Sequence, residues 1–237
     1  FGRVPNARSL TLRTLLAHTS GIPEHIQVPA FQDALAADPF RVWKPAEMVA
    51  YVLDARPLFP TGTDFSYADT NYILVGMIIE RVTGRSYYDE LRDRVLLPLG
   101  LRDTTPSDRP DLTGLVCGHT TPGNPFRVPD RTLVDGRYAM NPQVEWTGGG
   151  LIATSTDLAR WAAALFAGEV LAPAMRGAML HAGPSNLGQG VRYGLGAIVW
   201  ESSHGAVWGH TGWVPGYVSG VAYFPALRLA VACQVNS

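Results

Sequence analysis

The chain has little of three things that would point to particular functions. Its 237 residues contain a single lysine, Lys44, two cysteines, and no apolar run longer than residues 72–79. A membrane-spanning helix needs roughly 20 apolar residues, so we expect no transmembrane span. The 19 basic and 20 acidic residues give a formal net charge of -1. This balance argues against nucleic-acid binding through phosphate neutralisation.

The residues that bind metals and nucleotides are also sparse. Cys117 and Cys233 allow one disulfide or two thiols, and we favour two buried thiols. The six histidines are scattered, without the His-x-x-x-His or Cys-x-x-Cys spacing that is typical of metal sites. No glycine-rich loop follows a strand in the way that phosphate binding requires. We therefore predict neither a metal nor a cofactor.

The first part of the chain, residues 1–150, is predicted to be mainly helical and rich in loops. A hydrophobic content of 46% with 16% charged residues is typical of a folded globular protein. Apolar spacing, caps and proline stops predict helices over residues 11–18, 45–53, 71–82 and 86–97. Gly84 is predicted to end the third of these helices in the left-handed conformation, and Ser86 with Asp89 to cap the fourth. Residues 22–38 are predicted to be irregular, and residues 102–149 to be a long excursion with short strands near 118–121 and 132–138.

The second part, residues 151–237, changes from helices to strands. Thr154 and Asp157 form a capping box for a helix over 158–167, and a second helix is predicted over 172–180. Strands are predicted over 193–201, 206–210, 217–224 and 229–235, and their short connections favour antiparallel pairing. The expected fold class is therefore α/β, in the α+β sense: a helical lobe plus an antiparallel sheet flanked by helices. We expect further elements beyond both ends of the sequence.

Four ordered segments resemble the serine β-lactamase-like family, which includes class C β-lactamases, D-Ala-D-Ala carboxypeptidases, D-aminopeptidases and β-lactamase-fold esterases. The segments are Leu12-Arg-Thr-Leu-Leu-Ala-His-Thr-Ser-Gly21, Phe65-Ser-Tyr-Ala-Asp-Thr-Asn-Tyr-Ile-Leu-Val-Gly76, Gly148-Gly-Gly-Leu-Ile-Ala-Thr-Ser-Thr-Asp-Leu-Ala159 and Gly209-His-Thr-Gly212. The resemblance covers nearly the whole chain, with the segments in the family's order. It implies an all-helical lobe, an α/β lobe, and acyl transfer in the cleft between them.

The resemblance also implies a role for each matching residue. Tyr67 falls on the tyrosine of the family's Tyr-x-Asn element, where the phenol moves protons between nucleophile and leaving group. The strand motif Lys-Thr-Gly is matched by His210, Thr211 and Gly212, with Thr211 and Gly212 expected to bind substrate. The backbone N–H of Trp213 would supply half of the oxyanion hole.

Two positions depart from the family pattern. Asp69 stands where asparagine is common, and a carboxylate accepts hydrogen bonds but cannot donate them. His210 replaces a lysine, so its charge is partial near pH 7 and is expected to titrate in the physiological range. Trp213 is expected either to form an apolar wall with Trp208 and Tyr217 or to leave those two residues to core packing.

The family's nucleophile motif, Ser-x-x-Lys, is absent from this sequence. Its single lysine, Lys44, follows Arg41 at the position where the serine would stand. We expect the motif to lie upstream, roughly 40 to 60 residues before Leu12 by the family's spacing. The His18-Thr-Ser20 run does not replace it, because the family carries this segment as a structural turn.

The sequence thus predicts a serine hydrolase that forms an acyl-enzyme with an ester, a D-amino-acid peptide or amide, or a β-lactam. An esterase or peptidase is favoured over a β-lactamase, and the partner is a small-molecule or peptide substrate rather than nucleic acid. Two alternatives stay open. One is a catalytically inactive member that serves as a binding or regulatory module, and the other is a structural fragment without a function of its own.

Overall fold

The computed structural model describes residues 2–121, 123–124 and 126–237. Helices dominate its first part, which also contains 3-10 turns at His25–Gln27 and Pro142–Glu145, and a π-helical turn at Arg92–Leu96 that continues α5. The helices are α1 (Leu12–Leu16), α2 (Pro29–Ala37), α3 (Pro45–Ala50), α4 (Asp69–Thr83), α5 (Tyr87–Leu91) and α6 (Trp146–Gly149). Short strands β1 (Thr105–Pro106), β2 (Leu133–Val134) and β3 (Arg137–Tyr138) lie between α5 and α6.

The second part packs two helices on an antiparallel sheet. It begins with β4 (Leu151–Ile152), α7 (Ser155–Ala167) and α8 (Pro173–Leu180), followed by β5 (Gly183–Pro184), β6 (Arg192–Tyr193), β7 (Ile198–Ser202), β8 (Gly205–Val214), β9 (Tyr217–Phe224) and β10 (Leu229–Val235). The spatial order is β10-β9-β8-β7-β6-β5, with each neighbouring pair antiparallel. The predicted fold class, helices combined with an antiparallel sheet, is confirmed.

Helix α4 is the central element of the first part. The helix is apolar on most sides, and Ile73 and Leu74 are buried. Gly84 ends the helix in the left-handed conformation with a φ of 69°. The helix begins at Asp69 without a side-chain cap. The sequence therefore places Asp69 in the first turn of a helix whose N-terminal half is largely buried.

The predicted caps are confirmed at two further helices. Ser86 accepts a hydrogen bond from the Asp89 N–H at 3.1 Å, and Thr154 accepts one from the Asp157 N–H at 3.2 Å. The apolar face of α7 buries Ala162 and Phe166, and Phe166 stacks on Tyr223 of β9. One core cluster lies among the helices of the first part and a second lies between α7, α8 and the sheet. The division of the chain at residue 150 stays a prediction.

The structure corrects four expectations. The single strand predicted over 193–201 is two strands, β6 and β7, interrupted at residues 194–197. Residues 22–38, predicted to be irregular, contain α2, whose start is marked by Pro29 at its first position rather than by a polar cap. The strand predicted to end at His210 continues to Val214, because its second half pairs with β9. The thiols are unpaired as favoured, but neither is buried: Cys117 is half-buried and Cys233 is exposed.

Within the described residues, no helix combines the length and the apolar character that crossing a membrane requires.

Candidate active site

Tyr67 lies just before α4, between the helical part and the sheet. Its ring centroid is 6.1 Å from that of His210 on β8 and 6.0 Å from that of Tyr193 on β6. Burial raises the pKa of the Tyr67 phenol, and the negative charge of Asp69 raises it further. In this chain the phenol is therefore protonated throughout the physiological range.

The buried side chain of His18 packs against the ring of Tyr67. His18 stacks on the phenol with ring centroids 4.0 Å apart, and its other neighbours are Tyr72 at 5.1 Å and Tyr193 at 5.0 Å. Its Nδ1 accepts the Ala68 N–H at 3.1 Å, and desolvation followed by the charge of His210 lowers its pKa to about 3. His18 is thus a neutral platform that fixes both the ring of Tyr67 and the backbone leading into α4.

Ser20, beside His18 in sequence, is also buried. Its hydroxyl donates to Asn71 Oδ1 at 2.6 Å and accepts the Ile22 N–H at 3.0 Å. A serine with both functions engaged inside the core has no access to substrate. The structure therefore agrees with the prediction that the His18-Thr-Ser20 run is a structural turn.

Asp69 is held against the segment that precedes β4. A Cβ atom added to Gly148 would lie 3.0 Å from the Asp69 Cβ, so the absence of a side chain at Gly148 allows this approach. Among the described residues, Asp69 Oδ1 is buried without a hydrogen-bond partner. Burial raises the pKa of Asp69 well above its usual range, and the charges of Glu145 and Glu24 act in the same direction.

Glu145 and Glu24 bring two further carboxyl groups close to Asp69. Burial raises the pKa of Glu145 to about 7, with a further contribution from Glu24. Glu24 is anchored by the Ile26 N–H at 2.9 Å and faces His25 Nδ1 at 2.8 Å. The electrostatic balance around Asp69 therefore favours a cation, because burial and the negative charges of Glu145 and Glu24 all disfavour the ionised form of its carboxyl group.

Strand β8 carries the predicted His210, Thr211, Gly212 and Trp213. Strand β7 pairs with β8 only as far as the Ile198–Gly209 register pair, whereas β9 pairs along the whole of 208–214. In the part of the chain that the structure describes, one edge of β8 is thus open beyond Gly209. Thr211, Gly212 and Trp213 are exposed there, so their backbone groups can reach a bound molecule.

His210 has both ring nitrogens engaged. Its Nδ1 lies 2.6 Å from the carbonyl oxygen of Thr211, and its Nε2 lies 2.9 Å from the hydroxyl of Tyr193. Burial lowers the pKa of His210, opposed by the hydrogen bond to the Thr211 carbonyl. The imidazole at this position is therefore neutral at pH 7.

The three aromatic residues named as a wall have different roles. Trp208 packs in the core against Phe166 and Tyr223. The Tyr217 hydroxyl contacts the Gly118 N–H, Thr132 Oγ1 and the Val116 carbonyl, and so anchors the 102–149 excursion. Trp213 is 56% exposed, with its ring 5.8 Å from that of Phe126. Of the three, Trp213 is the one left to face a ligand.

The structure places Tyr67, two residues before Asp69, opposite His210 of β8, and Thr211, Gly212 and Trp213 follow His210 along the open edge of that strand. Sequence reasoning did not single out Tyr193, Glu24 or Glu145. Tyr193 was predicted only as the start of a strand, and the two glutamates lie in turns without a motif. The buried His18 had a signal, its place in a segment with the family's spacing, but it was assigned no contact with Tyr67. Among the described residues, no group of three His, Cys, Asp or Glu side chains is arranged to hold a metal.

Comparison with known proteins finds relatives in both sequence and structure. A penicillin-binding protein of Bacillus subtilis (strain 168) is 26% identical over 222 residues, covering 89% of this chain and 48% of that protein. A D-stereospecific amidohydrolase from Streptomyces sp. superposes with a TM-score of 0.85 at 30% identity, covering 97% of this chain and 68% of the other. The D-amino acid amidase from Ochrobactrum anthropi SV3, complexed with L-phenylalanine amide, superposes with a TM-score of 0.79 at 25% identity. The match covers 100% of this chain and 67% of the amidase chain.

The chain spans about half the length of the curated relatives it matches. The fold is the β-lactamase/transpeptidase-like fold that these structures share. A sequence model described as Beta-lactamase matches residues 2–237. The chain therefore belongs to the beta-lactamase family and to its wider superfamily of hydrolases.

Proposed function

We propose that the protein containing this chain is a serine hydrolase that forms an acyl-enzyme with a D-amino-acid amide, peptide or ester. The proposal depends on one observation: Tyr67 lies next to strand β8, with its ring centroid 6.1 Å from that of His210. The sequence contains no Ser-x-x-Lys. We therefore propose that the serine and its lysine come from residues outside this sequence, and that this chain alone is inactive.

The charges around Tyr67 support a lysine at this position. A phenol moves protons near neutral pH only when a cation lowers its pKa. In this chain burial and Asp69 act in the opposite direction. An ammonium group beside Tyr67 and Asp69 would lower both pKa values, and Asp69 Oδ1 would accept its hydrogen bond. The same pairing would hold the lysine charged, so Tyr67 rather than the lysine is the proposed proton carrier.

The charge of the cleft supports a substrate with an amino group over one with a carboxylate. Asp69, Glu145 and Glu24 make one side acidic, and His210 on the opposite strand is neutral. A β-lactam carries a carboxylate that gains little in this field, whereas the ammonium of a free amino-acid amide gains Coulomb energy. Of the proteins that share the fold, the D-amino acid amidase acts, by its name, on amides of D-amino acids, and the amidohydrolase is named as D-stereospecific.

In the proposed reaction, Trp213 N–H completes the oxyanion hole with the N–H of the nucleophile. Thr211 and Gly212 bind the substrate along the open edge of β8. The alternative function is an inactive family member that binds such ligands without turnover. Its support is the departure of Asp69 and His210 from the family's asparagine and lysine.

Mass spectrometry after labelling with an activated fluorophosphonate tests the proposal. We expect no serine adduct on this chain alone and one adduct, on the Ser-x-x-Lys serine, in the longer protein that carries such a segment. An adduct on any serine of these 237 residues would overturn the assignment. A longer protein that binds D-phenylalanine amide but forms no adduct would support the inactive alternative.

Substrate charge is tested on the same longer protein. We expect kcat/KM for D-phenylalanine amide to exceed that for its N-acetyl derivative by about tenfold, because a charged hydrogen bond contributes roughly 1.5 kcal/mol or more. Equal values would contradict the acidic-subsite argument while leaving the acyl-enzyme intact. The L-enantiomer amide serves as the stereochemical control.

A further inference from the structure

Tyr193 is a buried residue beside the predicted site, and neither the sequence nor the proposed reaction gives it a role. It ends the short strand β6, its side chain is almost wholly buried, and its hydroxyl lies 2.9 Å from His210 Nε2. The loop after it is fixed at two points, by the Leu195 N–H to the Met179 carbonyl at 2.9 Å and by the Gly196 N–H to the Leu16 carbonyl at 3.2 Å. The loop that follows Tyr193 is thus held by both α8 and α1.

The hydrogen positions around His210 follow from its partners. The carbonyl oxygen of Thr211 can only accept, so Nδ1, at 2.6 Å from it, carries a proton. In a neutral imidazole the lone pair is then on Nε2. The Tyr193 hydroxyl is the group that faces this nitrogen, so it donates.

We propose that Tyr193 is a positioning residue that holds His210 as the neutral, Nδ1-protonated tautomer and so keeps the imidazole out of the chemistry. With both nitrogens engaged, the ring has none left for substrate, for the nucleophile or for Tyr67. Its function is to brace β8, which presents Thr211, Gly212 and Trp213. The catalytic consequence rests on the proposed hydrolase function, whereas the tautomer does not.

The surroundings of His210 favour the neutral form. The ionisable side chains whose rings face it are Tyr193 from β6 and Tyr67 from the segment before α4. His18, on the turn after α1, is close enough for its pKa to be lowered by His210. The two tyrosines are neutral at pH 7, because burial raises both phenol pKa values. A hydrogen bond from Tyr193 to the unprotonated Nε2 adds to the desolvation that disfavours imidazolium.

Nitrogen-15 NMR of histidine-labelled protein tests the proposal without any substrate. We expect His210 to show a protonated Nδ1 and an unprotonated Nε2 from pH 8 down to pH 6. In Tyr193→Phe the hydrogen bond to the neutral ring is lost, so the protonation midpoint of His210 should rise by about one pH unit, a tenfold change in its proton affinity. Tyr138→Phe is the matched control, because it removes another buried hydroxyl, bonded to the Pro215 carbonyl at 2.8 Å.

The outcomes separate this proposal from the proposed function. A protonated Nε2 in the unmodified protein, or titration of His210 near pH 6.5, overturns the proposal even if Tyr193→Phe does not fold. An unchanged midpoint in a folded Tyr193→Phe variant overturns the role of Tyr193. If the longer protein proves inactive, the NMR result still decides the tautomer. If it is active, kcat/KM in the unmodified enzyme should show no limb from His210 between about pH 6 and 8.

Discussion

The imidazole of His18 stacks on the phenol of Tyr67 at a centroid distance of 4.0 Å, with the two planes inclined by 30°. This contact links a wholly buried turn residue to the residue proposed to carry protons. His18 also has a positive φ of 54°, and its Nδ1 accepts the N–H of Ala68, the residue that follows Tyr67. The position of Tyr67 therefore depends on a core residue that contacts no substrate.

Replacing His18 should reduce stability and change its pH dependence. Burial lowers the pKa of His18 to about 3. Between pH 6.5 and 3 the unfolded state therefore binds a proton at this residue, whereas the folded state does not. Stability from this group is complete above pH 6.5 and is lost as pH falls toward 3. Asparagine tolerates the positive φ, so we expect the His18→Asn variant to fold with a free energy of unfolding about 1–3 kcal/mol lower at pH 7.5. On acidification, its free energy of unfolding should fall less than that of the unmodified protein. Urea unfolding at pH 7.5 and 4.5 measures both, with the exposed His204→Asn as control, and parallel pH profiles would refute the role of His18.

Tyr67→Phe should lower kcat of the longer enzyme by about 10²- to 10⁴-fold with little change in KM, because the hydroxyl is proposed to act in proton transfer. Steady-state kinetics on D-phenylalanine amide measure the effect. Tyr87→Phe removes a phenol hydroxyl elsewhere in the same part of the molecule and should retain activity. Near-normal turnover in the Tyr67 variant would remove this residue from the mechanism.

Glu145→Gln should stabilise the protein at alkaline pH. Burial and the charge of Glu24 raise the pKa of Glu145 to about 7, so the folded state retains a proton that the unfolded state releases near pH 4.5. The stability from this group is present below pH 4.5 and is lost as pH rises through 7. At pH 8 we expect the free energy of unfolding of the variant to exceed that of the unmodified protein by about 1–3 kcal/mol, and at pH 4.5 we expect little difference. Glu169→Gln, at an exposed position, is the control for urea unfolding at both pH values. Equal stability at pH 8 would show that Glu145 carries no burial cost.

His210→Lys should shift substrate preference toward anions. An ammonium in place of the neutral imidazole would stand near Tyr67 and oppose the acidic side of the cleft. We expect the ratio of kcat/KM for a penicillin to that for D-phenylalanine amide to rise by about tenfold in the longer enzyme, as one added charge contributes roughly 1 kcal/mol or more. His204→Lys adds the same charge at an exposed turn and should leave the ratio unchanged. An unaltered ratio in the His210 variant would show that this position does not sense substrate charge.

Two neighbouring glycines offer a matched steric test of Asp69. A Cβ at Gly148 would lie 3.0 Å from the Asp69 Cβ and 3.2 Å from its Cγ, whereas one at Gly149 would meet nothing within 4 Å. We expect Gly148→Ala to reduce kcat/KM by about tenfold or more through displacement of Asp69. Gly149→Ala should stay close to the unmodified enzyme. Equal behaviour of the two variants would show that Asp69 tolerates displacement.

The sequence by itself determined those features that depend on local signals. The caps at Ser86 and Thr154 and the left-handed end of α4 at Gly84 were predicted, because a hydroxyl or a glycine at a helix end acts within a few residues. The antiparallel pairing of the last strands followed from their short connections. The fold class and the family followed from four motifs in order.

The tertiary structure alone decided the environment of the site. Helix α2 was not predicted, because Pro29 begins it without a polar cap. Strand β8 extends beyond its predicted end to Val214, because β9 pairs with it. The contacts of His18 with Tyr67, of Gly148 with Asp69 and of Tyr193 with His210 join distant segments, so no local pattern encodes them. The pKa shifts of Asp69, Glu145 and His210 arise from burial, and burial is a property of the packed chain rather than of any residue in it.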